Sequence, residues 1–238
     1  MCNHYEKNVE ILSMGVRLFG ETGWVMNDHG DIVCPADVQG LPLHTWPKSQ
    51  APIILQTEKG RLISLARWGA RVEVKNVRGN PVAKFVTNSR DDKLTTFTWR
   101  QCVTCRRCLI PARAYYEPEG PEGAKWEVRF TLRDQPDFFL AGLWDTDPDG
   151  ATRSFSMVTT AANDLAARIH DRMPLVLDDD RARRWLGDAP LTSDELRTLC
   201  RPFPAVAMTS EAMPPPERTG KYKIAKTDLP PAQGELSL

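Results

Sequence analysis

The chain has 238 residues, 41% of them hydrophobic and 26% charged, and its 31 basic and 31 acidic side chains leave no net charge. This is enough apolar material for a real core, and it excludes a disordered, collagen-like or coiled-coil chain. The longest apolar run, 138–144, holds seven residues, against the roughly 20 needed for a membrane-spanning helix.

The N-terminus reads Met1-Cys2-Asn3-His4-Tyr5-Glu6-Lys7 and shows no secretory signal. A cytosolic (cytoplasmic) location is expected, with the six cysteines reduced. Nineteen prolines and fifteen glycines favour many short elements over long helices. β-Branched and aromatic runs predict strands over 52–55, 62–66, 82–86, 95–99, 125–132, 138–143, 155–159 and 174–177. Residues 125–130 alternate polar and apolar, as a half-buried strand does. Helices are predicted over 161–169, with Asn163 or Asp164 as cap, and over 178–185, where three acids precede three arginines in the sense the helix dipole favours. A third, over 192–200, opens with the capping pattern Thr192-Ser193-Asp194-Glu195. Linker-like composition starts near residue 210 and includes Met213-Pro214-Pro215-Pro216-Glu217. The expectation is one strand-rich α+β domain over 1–210, followed by a Pro-rich, partly extended tail over 211–238.

Several residues could carry chemistry. Removal of Met1 would leave Cys2 with an amine (pKa ~7.7–8.0) and a thiol (pKa ~8.5) on adjacent carbons. Such a pair condenses with an aldehyde to an imine and then closes a thiazolidine ring; otherwise residue 2 is an arbitrary frayed position. His170 stands between a predicted helix and a predicted strand, as a general acid–base or as a hydrogen-bonded structural histidine. Glu117, in Tyr115-Tyr116-Glu117-Pro118, is either a carboxyl raised by an apolar pocket or a surface loop acid. Between Arg61 and Arg90 seven basic residues face the single acid Glu73, with Trp68 among them. Charge to track phosphates and a ring to stack on bases suit a single nucleic-acid strand; a solvated strand face is the competing reading. Cys102-Val103-Thr104-Cys105-Arg106-Arg107-Cys108 has part of the spacing of an iron–sulfur run, but position 112 is Ala rather than a fourth cysteine. A zinc or cluster site would need Cys34 or Cys200 brought close by the fold. No metal and no cofactor are therefore expected.

Taken in order, Met1-Cys2, Arg67-Trp68-Gly69, Thr87-Asn88-Ser89-Arg90, Arg106-Arg107-Cys108-Leu109-Ile110-Pro111-Ala112, Tyr116-Glu117 and Ile169-His170-Asp171-Arg172-Met173-Pro174 resemble the landmarks of the SRAP (SOS response-associated peptidase) family. The resemblance implies one compact domain, with antiparallel β-sheets forming a barrel-like core and a few helices. It implies a sensor of abasic sites in single-stranded DNA that cross-links to them through the N-terminal cysteine, in a DNA-damage or SOS context. It places the catalytic positions on Cys2, Asn88, Glu117 and His170, and DNA contacts on His4, Arg67, Trp68 and Arg90. Asn3-His4 stand where members usually have Gly-Arg, and Arg113-Ala114-Tyr115-Tyr116-Glu117-Pro118 where they have Asp-Gly-Phe-Tyr-Glu-Trp. The segment 71–84 lacks the family's usual Ile-Pro and Trp landmarks. The expected partner is single-stranded DNA with abasic sites, not a membrane, and the expected state is a monomer. The alternatives are a thiol peptidase or amidohydrolase using Cys2, a non-catalytic single-stranded DNA binder, and a metal-binding module.

Overall fold

The computed structural model describes residues 2–122, 124–147, 150 and 152–213. In chain order it has β1 (His4–Lys7), α1 (Ile11–Phe19), β2 (His44–Thr45), β3 (Gln50–Thr57), β4 (Gly60–Trp68), β5 (Ala70–Lys75), β6 (Pro81–Val86) and β7 (Asn88–Arg90). Next come α2 (Arg100–Cys105), β8 (Arg107–Glu119), β9 (Trp126–Leu132), β10 (Phe138–Thr146), β11 (Arg153–Ala161), β12 (Arg172–Pro174) and β13 (Val176–Leu177). The last elements are α3 (Asp179–Leu186), α4 (Ser193–Leu199) and β14 (Met208–Met213).

Five strands close on themselves. β3 pairs with β4, β4 with β11, β11 with β10, β10 with β8, and β8 returns to β3. All of these pairings are antiparallel except β4–β11, and closure removes the free edges an open sheet would expose. The second half of β8 leaves the barrel. There it takes β1 on one edge and β9 on the other, with β2 beyond β1 and β14 beyond β9. The mixed α+β class with a barrel-like core matches the expectation.

Strand alternation sorts the core into two parts. Ile53, Leu55, Trp68, Cys108, Ile110, Leu140, Phe155 and Met157 belong to one buried cluster, which also holds Cys2 and Tyr5. Their neighbours Ile54, Leu109, Phe139, Ala141 and Val158 belong to the other, with Met14, Val103, Trp185 and Leu199 from the helices. The first is the barrel interior and the second the layer beneath the helices. α3 is pinned to the barrel by Trp185, whose Nε1 donates to Cys108 O (3.1 Å) and Gly142 O (3.3 Å). The buried Arg107 guanidinium donates to the main-chain carbonyls of Val103, Thr104, Trp185, Gly187 and Ala189.

Two predicted elements are corrected. Residues 161–169 are no α-helix: Ala161 ends β11, and only a 3₁₀ turn, Ala166–Arg168, follows. Asn163 explains this, since its Oδ1 accepts the Ala166 N–H (2.9 Å) while its Nδ2 donates to Phe203 O (2.7 Å), a local bonding pattern that competes with helix. Residues 95–99 are turns leading into α2 rather than a strand, because Trp99 is buried in the helix-side cluster. The capping box at Thr192 and Glu195 forms as predicted. β14 runs past residue 210 and pairs with β9 to Met213; the rest of the expected tail lies outside the described residues.

Arg107 offers a test of this architecture. Replacing it with Met removes five donors from carbonyls at the ends of α2 and α3 and is expected to cost about 2–4 kcal/mol, read by urea unfolding.

Candidate active site

β1 delivers Cys2. In the β1–β8 ladder His4 lies opposite Tyr116 and Tyr5 opposite Tyr115, so the residue two positions before His4 reaches the neighbourhood of Glu117. Cys2 is fully buried within the barrel-interior cluster, and its Sγ donates to His4 O (3.2 Å). Its carbonyl accepts a hydrogen bond from Asn88 Nδ2 (3.0 Å). Asn88 Oδ1 is buried with no hydrogen-bond partner among the described residues, an acceptor held beside the Cys2 main chain. Burial pushes the Cys2 thiol far above its ordinary value, and the charge of Glu117 adds to this, so the group is a thiol at neutral pH. Glu117 is 1% exposed, and burial raises its carboxyl to about 7.

His170 reaches the same region by another route. β11 is flanked by β7, with Arg90 opposite Thr159, and by β12, with Pro174 opposite the same Thr159. The elements carrying Asn88 and His170 thus share one strand between them. Arg172 Nη2 ties them further by donating to Asp91 Oδ1 (2.5 Å). Leu165, Ala166 and Met173, around the His170 turn, lie in the Cys2 cluster. The His170 side chain is 32% exposed, and burial lowers its pKa. Its Nδ1 is 3.0 Å from Arg172 N and 2.9 Å from Asp171 Oδ1. A neutral ring that accepts the Arg172 N–H at Nδ1 carries its own proton on Nε2.

The four expected DNA contacts divide by exposure. His4 is 2% exposed and stacks between Trp46 (centroids 3.8 Å apart) and Tyr116 (4.1 Å), with its nitrogens on Glu127 Oε2 (3.0 Å) and His44 Nδ1 (2.8 Å). Trp68 is fully buried in the barrel interior, edge-on to Tyr5, and its Nε1 donates to Thr87 O (2.9 Å). Neither ring offers a face to solvent. Arg67 and Arg90 are partly exposed, paired with Asp147 (2.5 Å) and Asp92 (2.9 Å). Cys102 and Cys108 are buried and Cys105 is exposed. No group of three or more His, Cys, Asp or Glu is placed to hold a metal among the described residues, and no helix there is long and apolar enough to cross a membrane.

Sequence reasoning missed the supports of the site. Trp46, His44 and Glu127 enclose His4, and Asp91 with Arg172 links the flanks of β11. Only Arg172 stood in a recognisable motif. The others sit in segments with no periodicity to mark them.

Comparisons with known proteins bear on the family and the fold. A family model for SOS response associated peptidase (SRAP) matches residues 37–215. The chain is similar to the abasic site processing protein YoqW of Bacillus subtilis (strain 168), at 32% identity over 164 residues, covering 67% of this chain and 72% of that one. It is also similar to the abasic site processing protein HMCES of Xenopus tropicalis, at 26% identity over 188 residues, covering 64% of this chain and 56% of that one. Among solved structures, a protein from Bordetella bronchiseptica superimposes with a TM-score of 0.66 at 24% identity, covering 89% of this chain and 99% of that one. One from Bacteroides thetaiotaomicron gives 0.67 at 20% identity, covering 90% and 93%. At these identities the structural likeness concerns the fold.

The raised Glu117 carboxyl has a measurable consequence. Its folded-state pKa of about 7 exceeds the ordinary 4.5, so the folded protein holds more protons between those values and stability falls as pH rises through that window. Relative to Glu117→Gln, the wild-type protein should therefore lose unfolding free energy between about pH 4.5 and pH 7. Chemical denaturation at pH 4.5 and pH 8 reads the difference; a constant gap between the two proteins contradicts it.

Proposed function

The chain belongs to the SRAP (SOS response associated peptidase) family, and on that premise we propose that it processes abasic sites in single-stranded DNA by forming a thiazolidine cross-link through Cys2 once Met1 has been removed. Relatives named as abasic site processing proteins support the DNA lesion as substrate. The observation that carries the chemistry is the buried Cys2, held by Asn88 through its carbonyl and set beside a Glu117 whose pKa is near neutral.

The reaction balances without a co-reactant. The ring-opened deoxyribose presents an aldehyde at C1′. The Cys2 amine attacks this carbon, water leaves to give an imine, and Sγ adds to the imine carbon while the thiol proton passes to nitrogen. The sum is aldehyde plus aminothiol going to thiazolidine plus water. His170, with its proton on Nε2, protonates the sugar oxygen as the ring opens. Glu117 takes a proton from the incoming ammonium and returns it to the departing hydroxyl, a task that suits a pKa near 7. Asn88 Nδ2 fixes the Cys2 carbonyl, and its Oδ1, without a partner among the described residues, can accept from the amine.

The high thiol pKa favours this order, with the amine acting first. It speaks against a peptidase or amidohydrolase, which needs a thiolate with a lowered pKa. A merely binding protein would have no use for a buried aminothiol beside a raised carboxyl. The surface ion pair of Arg90 with Asp92 is worth little and can be exchanged for a phosphate, whereas Arg67 is held by the half-buried Asp147. His4 and Trp68 act as positioning residues, one fixing β1 and the other flooring the barrel.

Denaturing electrophoresis with single-stranded DNA carrying one abasic site tests the proposal. Protein lacking Met1, as checked by intact mass, should give a heat-stable shifted band. Cys2→Ala and Cys2→Ser keep the amine but lack the thiol, so each should give no heat-stable band and only an imine that needs borohydride reduction to survive. His170→Ala and Glu117→Gln should slow the reaction by about 10²–10⁴-fold. A stable adduct with Cys2→Ala would overturn the mechanism.

A further inference from the structure

The basic residues of 61–90 divide by what they touch. Arg61 donates to Thr22 O, and its guanidinium lies over the rings of Phe19 and Trp24. Arg67 and Arg90 have carboxylate partners. The hairpin of β5 and β6 is different. Its Arg71, Lys75, Arg78 and Lys84 form no ion pair among the described residues, and Glu73 is the one acid it contains.

The hairpin is rooted at the candidate active site. β4 and β7 run in turn along β11, with Trp68 opposite Phe155 and Asn88 opposite Met157. Gly69 N–H donates to Phe155 O (2.7 Å), and Met157 N–H donates to Thr87 O (2.9 Å). The hairpin is thus an excursion from one strand path, leaving after Gly69 and returning just before the amide that holds Cys2. Strands of six residues reach about 20 Å from that root. Val72 and Val86 rest on the helix-side cluster, and the Thr98 hydroxyl donates to Glu73 O (3.2 Å). The tip is closed by Asn76 Oδ1, which accepts the N–H groups of Arg78 and Asn80, with Gly79 at φ 80°.

At the root stands Phe85, opposite Arg71 and 44% exposed. The Lys48 ammonium lies 5.9 Å and the Arg67 guanidinium 5.7 Å from its ring centroid. The edge of the ring lies against bare backbone at Gly69, where an added Cβ would be 1.9 Å away. An exposed aromatic ring beside two cations, with Arg71 across the hairpin, can take a base and its phosphates together.

We propose that the β5–β6 hairpin is a strand-holding arm for single-stranded DNA, with Phe85 as the stacking platform for a base beside the lesion and Arg71, Lys75 and Arg78 as phosphate contacts leading away from it. The arm rests on the reading that the site acts on single-stranded DNA, and it adds a subsite outside the reacting residues. It supplies the exposed ring that the buried Trp68 does not.

The test is fluorescence anisotropy of the full chain with a labelled oligothymidylate that contains no abasic site, so that binding is read without cross-linking. Phe85→Ala should weaken binding at least tenfold, and Phe85→Trp should retain the wild-type affinity. Reversing Arg71, Lys75 and Arg78 together to Glu should also weaken binding at least tenfold. It should flatten the slope of log affinity against log salt by about 2, at roughly 0.7 per phosphate contact on a single strand. The three reversed side chains are exposed, so the melting temperature should stay unchanged and separate this loss from misfolding. The arm is overturned if Phe85→Ala or the triple reversal binds within twofold of wild type, or if wild type does not bind. A wild-type protein that binds through the hairpin but never cross-links an abasic strand upholds the arm and removes the cross-linking reading. Cross-linking with hairpin-independent affinity does the reverse.

Discussion

The antiparallel ladder between β1 and β8 holds His4 to Lys7 in place, and the buried Cys2 with them. β1 is an interior strand, with β8 on one edge and β2 on the other. His4, clamped between the rings of Trp46 and Tyr116 and hydrogen-bonded at both nitrogens, fixes the start of that strand. Tyr5 and Lys7 are buried as well. Cys2 follows from this constraint: the register of β1 on β8 sets it near Glu117, and the Asn88 amide then closes on its carbonyl. A slip of one residue would turn Tyr5 out of the barrel and Cys2 away from Asn88. The same ladder that stabilises β1 therefore sets the position of Cys2.

β8 is the element through which barrel and site communicate. Its first half, Arg107 to Ala112, pairs with β10 and contributes Cys108 and Ile110 to the barrel interior. Its second half receives β1 and β9 and ends at Glu117 to Glu119. Being a single strand, it transmits the rigidity of a closed barrel to the carboxyl at its far end. β11 plays the matching part on the other side, with β7 and β12 on its flanks. β8 and β11 both border β10 in the barrel wall; β1 on β8 and β7 on β11 bring Cys2, Glu117 and Asn88 together, and the His170 turn packs on the cluster that holds Cys2.

The sequence revealed the parts of this design that follow local rules. The strands 52–55, 62–66, 125–132, 138–143 and 155–159 carry their own β-propensity, and α3 and α4 carry their own caps. β1 and β8 carry neither signal. Lys7 and Arg107 are charged yet buried, and Pro111 and Pro118 lie within β8, so the strand pattern is broken where the strands matter most. What holds these segments is tertiary pairing, invisible to a local window. The same applies to His4 and Trp68: their residue types suit a nucleic-acid surface, and only the fold assigns one to an aromatic sandwich and the other to the barrel interior. Phe85, opposite Arg71 across a hairpin, becomes legible only once the register is known.

Burial shapes the chemistry by moving the acid and the base in opposite directions. It raises Glu117 to about 7 and lowers His170 below its ordinary value. It keeps Cys2 a thiol. Near neutral pH every one of these groups can stand in its uncharged form, which is the form a desolvated site tolerates best. Imine formation needs an uncharged amine, a donor for the leaving oxygen and an acceptor for the amine's protons. On the proposed reading, a neutral imidazole and a carboxyl that burial raises towards neutrality would supply the donor and the acceptor. The full burial of Cys2 and the raised thiol and carboxyl pKa values are therefore one feature: the enclosure that buries Cys2 also desolvates Glu117.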